Sequence, residues 1–257
     1  MATKKTTTSE RPGFLKHYDF DITITFSNDL LGMLPNNKDI MRDYIVSKSP
    51  DAISKEDEVA SVGVTQYLEK GITVFPRDRD GNPGLFDYHW LGFFAEKCGY
   101  LRRFDDTLSA GFTAYKKEIH GGIFLADRFN PIILPDGFDI ETFTHIVRTK
   151  PPTGPQINTP TTSELIPIGS KTTITVQVMA KSYIDLVKEW IMYGFKSGTG
   201  QWRNGGYGTF IADFGEVTEG WFTYPEVQEK INHRIDEEVA LRRIEKQLAK
   251  ENAMKKA

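Results

Sequence analysis

The chain has 257 residues, of which 39% are hydrophobic and 26% are charged, and its single cysteine is Cys98. This length is sufficient for one large domain or two small ones, and one cysteine excludes both an internal disulfide framework and a multi-cysteine metal site. The net charge is −3, and because residues 1–13 carry +2 and residues 225–257 carry +1, residues 14–224 carry −6. Proteins that bind duplex DNA are usually strongly basic, so a nucleic-acid site here must be a local patch on an acidic body.

Neither a membrane span nor a secretory signal is predicted. No apolar stretch reaches the roughly 20 residues that a membrane-spanning helix needs. Residues 1–13 are polar and basic, and they lack the apolar region that a secretory signal requires. We therefore expect a cytosolic protein with a disordered tail over residues 1–13.

The first clear element along the chain is a strand. From Tyr18 to Phe26, apolar residues alternate with Asp and Thr, a period of two that is typical of a strand with one buried face. Ser54 to Asp57 resembles a helix-capping box and predicts the start of a helix. Two apolar runs, Ile72 to Phe75 and Leu85 to Tyr88, flank Asp80-Gly81, a dipeptide that predicts a hairpin turn.

The middle of the chain is less regular. Helical spacing of apolar residues predicts a helix from His89 to Arg103. Phe112 to Leu134 is predicted to form short strands, broken at Gly121-Gly122 and at Asn130-Pro131. Thr149 to Pro160 holds four prolines and predicts a surface loop or a projecting arm.

The last third has the sharpest pattern. Thr172 to Ala180 alternates as a strand, and Ser182 to Phe195 has the apolar spacing of a helix. A glycine-rich loop, Gly198 to Gly208, leads into an apolar strand, Thr209 to Val217. Residues 225–257 are rich in Glu, Lys, Arg and Ala with apolar residues embedded, which predicts one charged amphipathic helix.

Together these elements predict an α+β fold. With insertions at about 27–87 and 128–170 set aside, the order is β-α-β-β-α-β, which is the ferredoxin-like unit. We therefore expect one ferredoxin-like, RRM-like domain over residues 14–224, followed by the helix over 225–257. RNA-recognition modules of this kind bind single strands on the open face of the sheet.

The glycine-rich loop is the strongest functional signal. Glycines let backbone N–H groups point outward and approach a ligand closely, and clustered N–H groups suit a phosphate. The guanidinium of Arg203 can donate two parallel hydrogen bonds to a phosphate, and Trp202 and Tyr207 offer flat faces on which bases can stack. The alternative is a structural turn with Trp202 as a core plug. The order helix-then-strand argues against P-loop and Rossmann sites, which place the strand first.

The loop resembles the glycine-rich loop of the RAMP superfamily of CRISPR-associated proteins, which reads Gly-x-Gly, a few residues, then Gly-aromatic-Gly. Here these are Gly198-Thr-Gly200 and Gly206-Tyr-Gly208. Gly84 to Arg103 is similar to the segment of backbone-type RAMP subunits that runs from a short strand into the first helix, with Gly92 at the family's helix-start glycine. The Gln-Trp-Arg-Asn sequence between the glycines also looks like that of bacteriophage and prophage proteins of similar length.

The resemblance implies a non-catalytic protein that binds single-stranded RNA, or single-stranded DNA, without a metal or a cofactor. It also implies assembly of copies along the strand, and location in the cytoplasm, which is the host cytoplasm for a phage protein. The residues it assigns to nucleic acid are those of the loop and the basic residues beside the middle strands and the arm: Gly198, Gly200, Gln201, Trp202, Arg203, Asn204, Gly206, Tyr207, Gly208, Lys116, Lys117, His120, Arg128 and Arg148. Each basic residue outside the loop is explained equally well as a solvated charge.

Two other functions stay open at this point. Some RAMP relatives are metal-independent endoribonucleases, and His120 beside Lys116 and Lys117 is the best available set for a general base and a phosphate-stabilising cation. Alternatively, the chain keeps the fold without binding nucleic acid and engages a partner protein, which the charge of −6 over 14–224 and the helix over 225–257 both favour.

Overall fold

The computed structural model describes residues 15–35, 72–149, 157–222, 228, 231–236, 238–240 and 242–244. It has two compact units, one formed by Tyr18–Thr218 and the other by Met1–His17 together with Glu219–Ala257. The predicted division at residues 13 and 225 stays a prediction.

Strands and helices alternate through the described residues. The strands are β1 (Leu15–Phe26), β2 (Leu30–Leu31), β3 (Leu34–Pro35), β4 (Ile72–Val74), β5 (Gly84–Phe86), β6 (Ile123–Leu125), β7 (Phe129–Pro131), β8 (Glu141–Thr149), β9 (Ile157–Ile166), β10 (Lys171–Val178), β11 (Phe210–Phe214) and β12 (Thr218–Phe222). The helices are α1 (Asp87–Leu101), α2 (Tyr115–Gly122) and α3 (Ser182–Met192), with short 3-10 turns at Tyr193–Phe195 and Arg203–Gly205.

The main sheet has the strand order of a ferredoxin-like fold. β1 is central, with β11 on one side and β10 on the other, and β6 lies beyond β10, every pair being antiparallel. These are the fourth, first, third and second strands of the predicted β-α-β-β-α-β unit. The α+β prediction is confirmed. β12, which also pairs with β1, was not predicted.

One face of the main sheet forms the core with the helices. Phe20, Ile22 and Ile24 of β1 are at most 2% exposed, as their alternation with polar residues predicted. Trp90 of α1 and Trp190 of α3 belong to the same buried cluster. Burial of apolar surface stabilises such a core by roughly 25 cal/mol per Å² removed from water.

The opposite face of the main sheet is polar and acidic. Asp21 and Thr23 alternate with the buried residues of β1, and Thr23 lies opposite Asp213 of β11. Thr175 of β10 donates its hydroxyl to Asp21 Oδ1 at 2.6 Å. Because carboxylates repel phosphates, this face does not suit a nucleic acid in the way expected for an RNA-recognition module.

A second sheet contains the pair of strands β8 and β9, which we call the arm. β9 pairs with β8 in antiparallel register from Glu141↔Leu165 to Thr149↔Ile157, and it also pairs with β2 and β4. The segment Thr149 to Pro160, predicted as a loop or an arm, is therefore part of a β-hairpin whose strands enter the segment at both ends. Of the four prolines only Pro160 lies in a described strand, β9, where neighbouring Thr residues favour extended backbone.

The prediction of strands throughout Phe112 to Leu134 is wrong in its first part, where α2 forms. The helix follows Ala114, whose φ of +51° redirects the chain. Tyr115 and Ile119 lie one helical turn apart, and Ile119 is fully buried, so the apolar period here is helical. β6 and β7 are the strands that this segment does contain.

The predicted turn at Asp80-Gly81 is present and closes a short hairpin in which Arg77 and Pro83 form an antiparallel bridge, but β4 and β5 on either side of it do not pair with each other. Asp78 Oδ1 accepts hydrogen bonds from the amides of Asp80 and Asn82, and Gly81 has a φ of +86°. β4 joins the second sheet, whereas β5 pairs with β7. The chain therefore passes from one sheet to another through this turn.

The second unit contains Glu219 to Phe222 of β12 and part of the predicted C-terminal helix. Residues 228, 231–236, 238–240 and 242–244 are helical, in agreement with that prediction. The rest of 225–257, the tail over 1–13 and the helix start at Ser54 to Asp57 lie outside the described residues. No helix among the described residues is both long and apolar enough to span a membrane.

Candidate functional site

The glycine-rich loop is closed at its base by two glycines whose backbones touch. A Cβ on Gly198 would lie 2.2 Å from the Gly208 carbonyl, and one on Gly208 would lie 1.9 Å from the Thr199 carbonyl oxygen. The Thr199 amide donates to the Gly208 carbonyl at 2.9 Å, and the Gly208 amide donates to the Asp29 carbonyl at 2.8 Å. Glycine is therefore required at both positions for steric reasons.

Between these glycines the loop turns outward. Gly200 and Gly206 have φ values of +84° and +88°, and Trp202 adopts the same left-handed region with a φ of +49°, which is unusual for a bulky residue. The amide of Gly205 donates to the Trp202 carbonyl, and that of Gly206 to the Arg203 carbonyl. These two N–H groups, with those of Thr199 and Gly208, bond within the protein and are therefore not free to hold a phosphate.

Four aromatic rings connect the loop to the arm. His145 of β8 stacks on Trp202 with 4.4 Å between centroids and 13° between planes. Tyr207 is also nearly parallel to Trp202, at 5.3 Å and 12°. Phe143 of β8 lies 5.8 Å from His145 and 5.7 Å from Tyr207. Trp202 is nevertheless 42% exposed, so it is not the core plug of the alternative interpretation.

The loop forms one wall of an open groove. The cavity has a volume of about 600 Å³ and is bounded by the loop, the C-terminal end of α1 and the end of α3. Its lining residues are Glu96, Tyr100, Arg103, Phe104, Tyr193, Ser197, Gly200, Gln201, Trp202, Arg203 and Asn204. We call this cavity the loop groove.

A smaller groove of about 360 Å³ adjoins it along α1. Glu96, Tyr100 and Arg103 line both cavities, and the smaller one reaches Tyr115 and Lys116 of α2. Aromatic rings and cationic side chains thus follow one path from the loop to α2. The path carries three cations, Arg103, Arg203 and Lys116, against the single carboxylate of Glu96.

A buried lysine lies beneath the loop. Lys97 is fully buried, and its Nζ donates to Ser197 Oγ at 2.8 Å and to the Gly198 carbonyl at 3.2 Å. Nζ also lies 3.7 Å from Glu96 Oε2, and Arg203 Nη1 donates to that same oxygen. Burial lowers the pKa of Lys97 from 10.5 to about 8, with Glu96 opposing this shift and Arg203 adding to it.

His145 is the second buried titratable group at the site. The side chain is only 6% exposed, and its Nδ1 has no hydrogen-bond partner among the described residues. Burial lowers the pKa of His145 below its ordinary 6.5, because the imidazolium would lose its hydration. The neutral ring is therefore the form that stacks on Trp202 near neutral pH.

The structure brings the predicted loop residues together and separates most of the other predicted contacts from them. Gly200, Gln201, Trp202, Arg203 and Asn204 line the loop groove, and Lys116 lines the smaller groove. Gly198, Gly206, Tyr207 and Gly208 lie in the same loop but line neither groove. Lys117 and His120 are exposed on α2, which corrects their predicted place beside strands. For Arg148 the structure describes only a backbone position in β8.

Arg128 lies away from the grooves. Its Nη1 is 2.6 Å from both carboxylate oxygens of Asp87, the first residue of α1. The loop groove lies at the other end of this 15-residue helix, about 20 Å away at 1.5 Å per residue. Arg128 therefore pairs with the N-terminal residue of α1, and its predicted role in binding stays a prediction.

Sequence reasoning missed Lys97, Glu96, Arg103 and His145. Lys97 had a recognisable signal, because it falls in the apolar stripe of α1 with Phe93, Phe94 and Leu101, a position where a charge needs a partner. His145 had none, since its contact with Trp202 depends on how the arm folds back. No cluster of His, Cys, Asp or Glu among the described residues is arranged to hold a metal ion.

Comparisons with known proteins give only a likeness of shape. No protein-family model matches the sequence, and no curated protein matches it either. A cryo-EM structure of the Type III-B Cmr-beta bound to cognate target RNA aligns with a TM-score of 0.48 and 11% identity, over 79% of this chain and 61% of that chain. The crystal structure of Cmr6 from Pyrococcus furiosus aligns with a TM-score of 0.40 and 11% identity, over 78% of this chain and all of that chain. Likenesses at these scores do not identify the residues of this chain that bind a ligand.

Proposed function

We propose that this protein binds single-stranded nucleic acid, RNA in the first instance, in the loop groove, and that it does so without cleaving it. The observation that carries the proposal is the path of exposed aromatic and cationic side chains from Trp202 to Lys116. Single-strand sites combine these two features, since bases stack on rings while cations neutralise the backbone.

The aromatic part of the path has exposed surface for bases. Tyr100, Phe104 and Trp202 are 43%, 57% and 42% exposed and all line the loop groove. An exposed ring loses unfavourable contact with water when a base covers it, and each stacked base contributes roughly 1–3 kcal/mol. Because every base has a flat face, this arrangement favours binding with little sequence preference.

The charged part of the path explains how an acidic protein can hold a polyanion. Arg103 is exposed and makes no ion pair among the described residues, so its guanidinium is available to a phosphate. Lys116 is exposed at the far end of the path. Each phosphate contact makes the affinity depend on salt. A plot of the logarithm of the binding constant against the logarithm of the salt concentration should have a slope of roughly −0.7 for each phosphate neutralised on a single strand.

The family resemblance of the loop supports the same ligand class. The glycine spacing and the Gly84 to Arg103 segment resemble those of RAMP proteins, for which binding of a guide RNA and side-by-side assembly are expected. We infer from that resemblance that copies of this chain assemble along the strand in the cytoplasm. The bacteriophage resemblance of the Gln-Trp-Arg-Asn sequence stays a prediction.

The experiment is fluorescence anisotropy with labelled single-stranded RNA and DNA of about 15 nucleotides at low salt. Wild type should bind, and the measured affinity should fall as salt rises. Two matched pairs locate the site. Phe104→Ala should weaken binding while Phe138→Ala, equally exposed but outside the groove, should not. Lys116→Ala should weaken it while its neighbour Lys117→Ala should not.

Undetectable binding of either strand by wild type would refute the proposal. Equal effects within each matched pair would place the site elsewhere. Strand fragments produced in EDTA and lost in His120→Ala would instead establish the endoribonuclease hypothesis.

A second candidate function, protein binding, is favoured by an apolar stripe on the C-terminal helix. Ile231, Ile235 and Val239 are spaced four residues apart and are 45%, 53% and 43% exposed. Light scattering during size-exclusion chromatography tests whether this stripe mediates assembly. If the stripe mediates assembly, replacing the three residues by Ser should reduce the measured mass of the assembly. If it does not, the mass should be unchanged.

A further inference from the structure

We propose that Glu96 holds Arg203 in a displaceable ion pair, so that a phosphate of the bound strand takes the guanidinium from the carboxylate. This inference rests on the proposed function, because it concerns how the loop groove receives its ligand. Glu96 would then be a positioning residue that lowers the affinity of the groove for anions and sets how selective the groove is for them.

The geometry places one carboxylate oxygen between two cations. Glu96 Oε2 accepts a hydrogen bond from Arg203 Nη1 and lies 3.7 Å from Lys97 Nζ. The Glu96 and Arg203 side chains are 24% and 38% exposed, whereas the Lys97 side chain is fully buried. The Arg203 pair therefore faces the groove and is open to exchange, while Lys97 is sealed beneath it.

Exchange does not leave a buried charge without a counter-ion. When a phosphate takes Arg203, Glu96 remains the counter-ion of Lys97, which cannot reach solvent. Lys97 keeps its hydrogen bonds to Ser197 and Gly198, so the base of the loop stays in place while Arg203 moves. A guanidinium binds phosphate through a fork of two hydrogen bonds, which compensates for the carboxylate contact that is lost.

The ion pair also makes the groove selective. A ligand without an anionic group gains nothing from Arg203, because it cannot replace the carboxylate. A single small anion gains only this one exchange. A strand that stacks on Trp202 and reaches Arg103 at the same time gains all three contacts, so the exchange favours polyanions with bases over free phosphate.

The first test needs no RNA. Phenylglyoxal, which modifies accessible arginines, is applied to full-length wild type, and the rates at Arg203 and Arg103 are followed by peptide mass spectrometry. Glu96→Gln should raise the rate at Arg203 by about three- to tenfold and leave Arg103 unchanged, as expected for a half-buried ion pair. Asp105→Asn is the matched control, since it removes an exposed carboxylate next to Phe104 without touching the pair. Glu96→Asp, which keeps a counter-ion for Lys97 but withdraws it from Arg203, serves if the Gln variant fails to fold.

The second test uses the labelled 15-nucleotide RNA. Glu96→Gln should tighten binding by about three- to tenfold more than Asp105→Asn does, and Arg203→Gln should abolish that gain in the double variant. An unchanged labelling rate at Arg203 overturns the ion-pair proposal whatever the RNA does. Faster labelling without RNA binding by any variant supports the displaceable pair and overturns the proposed function, so the two failures are distinguishable.

Discussion

The indole of Trp202 and the imidazole of His145 lie parallel with 4.4 Å between their centroids. One ring belongs to the glycine-rich loop and the other to the arm, so the stack fixes a ligand-facing loop to the second sheet. The backbone of Trp202 adopts a left-handed conformation, which costs a bulky residue about 1–3 kcal/mol and is retained only where surrounding contacts impose it. Strain of this kind at an exposed ring favours a binding role for Trp202.

Replacing Trp202 by Asn should weaken binding of single-stranded RNA by roughly 5- to 100-fold, the loss of one stacked base. Asn tolerates the left-handed region, so the effect should report the loss of the ring, including its stack on His145, and not a change of backbone conformation. Fluorescence anisotropy measures the affinity, and circular dichroism checks the fold. Trp202→Phe should recover part of the affinity, and an affinity equal to wild type in the Asn variant would exclude stacking at this position.

His145 should make the stability of the protein depend on pH on the acid side. The pKa of His145 in the folded protein lies below the 6.5 of the unfolded chain. Between these two values the unfolded chain binds more protons than the folded protein does. The contribution of His145 to the free energy of unfolding is therefore complete above pH 6.5 and is lost as the pH falls from 6.5 toward the folded pKa. His145→Phe keeps a stacking ring without a titratable group. Thermal unfolding between about pH 7.5 and 5 should show a steeper decline for wild type than for this variant, and parallel curves would contradict the prediction.

Lys97 should give a trend of the same sign on the alkaline side. Its folded pKa of about 8 lies below the unfolded 10.5, so between these values the unfolded chain holds a proton that the folded chain has released. Stability therefore rises with pH through this window, by up to about 3 kcal/mol from Lys97 alone, and is insensitive to this group below pH 8. Denaturant unfolding of wild type and Lys97→Met from about pH 7 to 10 isolates the effect. A constant difference between the two proteins would show that Lys97 titrates normally.

Gly208→Ala should destabilise the protein far more than Gly81→Ala, although both glycines have positive φ. At Gly208 the φ is +67° and the new Cβ would lie 1.9 Å from the Thr199 carbonyl oxygen, whereas at Gly81 the φ is +86° and no atom lies within 4 Å. We expect a cost of about 1 kcal/mol at Gly81 from the backbone alone. At Gly208 we expect more than about 3 kcal/mol, because the carbonyl must move. Similar midpoints in denaturant for the two variants would show that the loop base adapts.

The elements with local signals were predictable from the sequence. β1 was evident because apolar and polar residues alternate along it, which places Phe20, Ile22 and Ile24 on one face. α2 was missed because the paired glycines at its end were interpreted as a break between strands, while the burial of Ile119 depends on packing against the rest of the protein.

The candidate site was predictable only in part. The loop and its Trp202 and Arg203 follow from composition and spacing. The groove itself depends on α1 and α3, and the partners of those two residues, His145 and Glu96, are set by tertiary contacts that no local pattern records. The hydrogen bonds of the Thr199, Gly205, Gly206 and Gly208 amides within the protein likewise depend on the folded backbone, so no local pattern records them.

The backbone contact between Gly198 and Gly208 closes the loop at its base and fixes the distance between its two ends. The chain before Gly198 and after Gly208 leads to the helix and the strand that the core requires, while Gly200 to Asn204 line the groove. Natural variation or laboratory evolution could therefore exchange the sequence from Gln201 to Tyr207 and retarget the protein without rebuilding its scaffold, much as a variable loop is exchanged on an antibody framework.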